Sequence, residues 1–80
     1  MSENNQTLIK EHKGSFYVFS NVNAESWDAV NELLLKDNEG QYDNRDEAYE
    51  KALEIDEQFG SEYGVQFNRL CKDGAVVLLK

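Results

Sequence analysis

Asp73-Gly74 stands between two apolar runs, Val65-Gln-Phe-Asn-Arg-Leu-Cys71 and Ala75-Val-Val-Leu-Leu79, and nothing else in the chain limits its fold as sharply. Tight turns between antiparallel strands need residues with positive φ, and Asp-Gly supplies them at little cost. Residues 65–71 and 75–79 are therefore expected to form a hairpin across Lys72-Asp73-Gly74. A similar pattern opens the chain. Lys13-Gly14 divides a stretch from Leu8-Ile9 to His12 from Ser15-Phe-Tyr-Val-Phe-Ser20, and the aromatic and β-branched residues on either side suit strands.

Between the hairpins the apolar period lengthens from two residues to between three and four, which marks helix. Asn23 can cap a helix over residues 24–36, in which Trp27, Val30 and Leu34 recur on one side with Glu25, Asp28 and Glu32 opposite. Leu33-Leu34-Leu35 also reads as a short strand. The second helix has clearer ends: Asn44 with Glu47 three residues on resembles a capping box, and Gly60 is a natural stop. Ala48, Ala52, Ile55 and Phe59 fall on one stripe for burial, widened by Tyr49 and Leu53.

The expected fold is α+β, in the order β-β-α-α-β-β, with a mainly antiparallel four-stranded sheet packed with two helices. Residues 1–80 suit a single domain, with the polar residues 1–6 as a flexible N-terminus. Phe16 and Val18 alternate with Tyr17 and Phe19, and Val76 and Leu78 with Val77 and Leu79, so both faces of the sheet are apolar. Either the helices divide between the faces, or a partner, such as a second copy, covers the one they leave.

Hydrophobic residues make up 40% of the chain and charged residues 30%, which are globular values despite a mean hydropathy of −0.72. No basic-then-apolar leader opens the sequence, and the longest apolar run, residues 75–79, is too short to cross a membrane. The expectation is a soluble, cytoplasmic protein. Its single cysteine, Cys71, can form no internal disulfide and fits a reducing compartment.

Catalytic chemistry finds little to work with. His12 is the only histidine and sits beside a turn, Cys71 reads as a small packed residue, and the five glycines lack phosphate-loop spacing. Asp37, Glu39, Asp43, Asp46 and Glu47 surround Gly40, but their spacing is not that of a calcium loop. No enzyme, cofactor or metal site is expected.

Charge is the informative property. Residues 25–62 contain 13 of the 16 acids against Lys36, Arg45 and Lys51, a net charge of −10 in a chain whose total is −8. Asp46, Glu47, Glu50, Glu54 and Glu57 occupy about 100° of the second helix, opposite its apolar stripe. Four like-charge pairs at three- or four-residue spacing each cost about 0.2–0.5 kcal/mol, offset in part by Glu47 and Lys51. Asp56 and Glu57 also lie at the C-terminal end of the helix dipole, where cations are favoured. Five charges over about 16 Å approach the phosphate spacing of one DNA strand, about 3.4 Å.

Such a face repels nucleic acid and membranes and attracts basic proteins. The expected function is non-enzymatic protein binding: an acidic inhibitor or nucleic-acid mimic that blocks the basic nucleic-acid site of another protein. Asp46, Glu47, Glu50, Glu54 and Glu57 would pair with its Arg and Lys side chains, Tyr49 or Tyr42 would anchor the contact, and Glu25, Asp28 and Glu32 would form a secondary acidic face. Tyr42 also suits a staple onto the first helical turn, and Tyr63 a loop plug. In size, charge and lack of a catalytic set the chain is similar to the anti-CRISPR and anti-restriction proteins of mobile elements, a likeness of composition that rests on no shared motif. The alternative is a structural or regulatory subunit or homodimer, joined through an apolar sheet face or open strand edge, with the acids serving solubility.

Overall fold

Lys13 and Gly14 adopt φ of 50° and 79°, and Asp73 and Gly74 adopt 49° and 83°, so both expected turns form with the positive φ that their residue types favour. The computed structural model of the chain describes residues 4–23 and 38–78. Along it run β1 (Asn5–His12), β2 (Ser15–Asn23), β3 (Gly40–Tyr42), α1 (Arg45–Phe59), β4 (Val65–Phe67), β5 (Arg69–Lys72) and β6 (Ala75–Leu78). The class is α+β, with a four-stranded sheet in the order β3-β2-β1-β4 and a separate β5-β6 pair. The expected first helix, 24–36, lies outside the described residues, which contain one helix.

The four-stranded sheet is mainly antiparallel, as expected, but mixed. β1 pairs with β2 and β2 with β3 antiparallel, whereas β4 runs parallel to β1, with Thr7 opposite Val65 and Ile9 opposite Phe67. The long connection through α1 makes a parallel return feasible. Asn68 then separates β4 from β5. It takes φ of 52°, donates its backbone N–H to Ile9 O (2.8 Å) and accepts the Glu11 N–H on Oδ1 (2.8 Å). Asparagine tolerates that left-handed conformation, so the run 65–71 divides: its first part joins the main sheet and only Arg69–Lys72 pairs with β6.

The two faces of the sheet close differently. Ile9 and Val18 meet Ala48, Ala52 and Ile55 of α1, with Phe16, Tyr42, Val65 and Phe67 around them. Alanine at 48 and 52 lets the helix lie close to the strands. On the other face Leu8, Phe19 and Val22 pack with Leu70 of β5, with Tyr17 beside them. Each fully buried Leu, Ile or Val contributes about 1.5–3 kcal/mol relative to exposure.

Of the N-terminal residues 1–6, residues 4–6 pack into the fold and 1–3 lie outside the described residues. Asn4 and Gln6 are buried, and the Gln6 amide donates to Asn4 O (2.7 Å) and Val22 O (3.1 Å) and accepts the Cys71 N–H (2.6 Å). Polar side chains need such partners to be buried at all. Next to Gln6 the β1–β2 register shifts, because Thr7 faces both Ser20 and Asn21, and Asn21 takes φ of 51° at this bulge. Among the described residues no buried side-chain nitrogen or oxygen lacks a hydrogen-bond partner.

Candidate functional site

α1 starts and stops where its sequence requires. Asn44 is extended at φ −127° and ψ 131°, and its Oδ1 accepts the N–H groups of Asp46 (2.7 Å) and Glu47 (3.4 Å). Gly60 ends the helix in the left-handed region at φ 63°, donating its N–H to Asp56 O at 2.7 Å. With Ala48, Ala52 and Ile55 set against the sheet, the opposite side of the helix points to solvent. Asp46, Glu47, Glu50, Glu54 and Glu57 are all exposed there.

Little neutralises this row. Of the three cations in the acidic segment, Lys36 lies outside the described residues, and Arg45 sits over the Phe67 ring with its guanidinium carbon 4.4 Å from the centroid. Lys51 approaches Glu54 at 4.0 Å in place of the expected Glu47. Among the described residues that is the one ion pair touching the row. No cation occupies the last turn.

Asp56 plays a different part from the row. It is half-buried and accepts hydrogen bonds from Thr7 Oγ1 (3.1 Å) and from the Ser61 hydroxyl, tying the end of α1 to β1 and to the loop after the helix. Its place against the dipole therefore has a structural reason, whereas exposed Glu57 has no such tie among the described residues.

The three tyrosines separate. Tyr42 packs beside the core cluster under α1, and its ring lies so close over Gly40 that a Cβ there would sit 2.7 Å from Tyr42 Oη. That position suits support of the helix start more than a free anchor. The Tyr63 hydroxyl accepts the Gly74 N–H (3.3 Å) and donates to Asn4 Oδ1 (3.4 Å), bracing the β5–β6 turn. Tyr49 is 45% exposed, and Leu53, one turn on, is 47% exposed. Neither widens the buried stripe as expected, and Phe59 is 65% exposed at the end of the helix. The contact that α1 makes with the sheet is narrow and runs through Ala48, Ala52 and Ile55.

Glu25, Asp28 and Glu32 lie outside the described residues. His12 stacks edge-on to Tyr17 at 6.3 Å, while the Cys71 backbone bonds to Gln6, six residues and so about 20 Å away along β1. Those two side chains form no dyad. Among the described residues no group of three or more His, Cys, Asp or Glu side chains could hold a metal ion, and no helix is long and apolar enough to cross a membrane.

The apolar run that begins at Ala75 forms an exposed strand, β6. Val76, Val77 and Leu78 are 53%, 51% and 77% exposed, and among the described residues β6 pairs only with β5. The uncharged run Ala75-Val-Val-Leu-Leu79 carried that signal, because an edge strand without Lys, Pro or a bulge is open to pairing. The chain matches no family model, no curated protein and no solved structure.

Proposed function

We propose that this chain is a non-enzymatic protein-binding module whose acidic helix face docks into the basic nucleic-acid site of another protein and blocks it. The observation that supports this most is the exposed row of Asp46, Glu47, Glu50, Glu54 and Glu57, with one cation within ion-pair reach among the described residues. The carboxylates need no rearrangement to meet Arg and Lys side chains, which pair with them as they do with phosphates. Nucleic acid itself is repelled by the same charge. Tyr49 supplies apolar area beside the acids, and Tyr42 holds the start of the helix. An inhibitor of the anti-CRISPR or anti-restriction type would work in this way.

The triple variant Glu50→Lys, Glu54→Lys, Glu57→Lys tests the reading. Immobilised wild-type protein should retain a nucleic-acid-binding protein from lysate at low salt and release it as ionic strength rises, and the variant should retain none. Retention by the variant equal to that of wild type contradicts the reading.

The exposed strand β6 supports a second reading, self-association along the edge that is unpaired among the described residues, with the acids serving solubility. Val77→Lys would then abolish a concentration-dependent dimer in sedimentation. A monomer at all accessible concentrations contradicts it.

A further inference from the structure

The row of acids is not the whole exposed surface of α1. At 100° per residue, Tyr49 and Leu53 are about 40° apart and one turn apart, so their half-exposed side chains form a single apolar strip. Asp46 lies about 20° beyond Leu53, with Glu57 and Glu50 next in order, while Glu54 and Glu47 fall on the far side of the row. Glu54 is also the carboxylate that meets Lys51. Among the described residues neither Tyr49 nor Leu53 belongs to a core cluster, whereas Ala48, Ala52 and Ile55 hold the helix to the sheet.

We infer that the docking surface is this composite flank, Tyr49 and Leu53 together with Asp46, Glu50 and Glu57, and that its occupant is a groove on a partner protein with an apolar floor and a rim of Lys or Arg. The inference deepens the proposed function and rests on it. Charge complementarity selects the rim, because three exposed carboxylates border the apolar strip on one side. A purely electrostatic mimic has no use for a half-exposed leucine and tyrosine side by side. Aromatic and aliphatic groups of this kind act as anchors when a groove removes them from water, and a helix presents them at four-residue spacing. Glu47 and Glu54 then serve encounter more than the final contact.

Two synthetic peptides separate the parts: oligolysine, which offers charge alone, and an amphipathic leucine–lysine helical peptide of the same net charge. Wild-type protein should bind the amphipathic peptide about tenfold more tightly by titration calorimetry. Tyr49→Gln and Leu53→Gln should each erase most of that excess and leave oligolysine affinity unchanged. Phe59→Gln, an exposed apolar residue on the other side of the helix, should leave the excess intact, and thermal melts of all three variants should match wild type. Equal affinity of wild type for the two peptides, or an excess that survives both Tyr49→Gln and Leu53→Gln, overturns the composite flank. Oligolysine binding that is unaffected by Glu50→Lys, Glu54→Lys, Glu57→Lys instead overturns the acidic-face reading beneath it.

Discussion

Gln6 Oε1 accepts the Cys71 N–H at 2.6 Å, a fully buried bond that joins the β5–β6 hairpin to the four-stranded sheet. The same side chain donates to Val22 O and Asn4 O, so one residue satisfies three backbone groups from separate segments. Gln6→Leu keeps most of the volume and removes all three hydrogen bonds. We expect a loss of about 2–4 kcal/mol, read by urea denaturation, because each bond contributes about 0.5–1.5 kcal/mol. A change below 0.5 kcal/mol, on the order of a surface substitution, would show that the hairpin is held without this bond.

Asp56 and Glu57 are neighbours with opposite expected effects. Asp56→Ala removes the acceptor for Thr7 and Ser61 and should destabilise by about 1–2 kcal/mol, a charged hydrogen-bond value reduced for partial exposure. Glu57→Gln removes a carboxylate from the wrong end of the helix dipole and should be neutral or slightly stabilising. Paired thermal melts decide it, and equal shifts in both variants would refute the distinction.

Neutralising Glu50, Glu54 and Glu57 to Gln eliminates all four like-charge pairs of the row. Stability should rise by about 1 kcal/mol, or roughly 4–8 °C in Tm, and the rise should shrink as salt is added. The lost Lys51–Glu54 contact is exposed and subtracts little. A fall in Tm at low salt would mean that the row does not repel itself.

Gly40→Ala tests the contact beneath the start of the helix. Its new methyl group would meet the Tyr42 ring, so the ring must move from its place beside the core. We expect a cost of about 1–3 kcal/mol, most of it absent in a Tyr42→Ala background. An additive double mutant would contradict the contact.

Local signals were readable from sequence, and distant pairings were not. Lys13-Gly14, Asp73-Gly74, Asn44 and Gly60 each specify a backbone conformation through their own chemistry, and each adopts it. Three residues cannot show a period, so β3 at Gly40–Tyr42 leaves no strand signal in the sequence. The parallel pairing of β4 depends on Asn68 and on the path through α1, which no neighbouring residue announces. The acidic row of the site was legible because helical spacing alone defines it. The exposure of Leu53 was not, since it depends on how much of α1 the sheet covers.

Competition between this protein and nucleic acid for a captured partner tests the central claim most directly. With the partner held at fixed concentration, increasing amounts of the wild-type chain should displace a labelled oligonucleotide to completion. The Glu50→Lys, Glu54→Lys, Glu57→Lys variant should displace none. Simultaneous binding of oligonucleotide and wild-type protein to that partner would contradict the account.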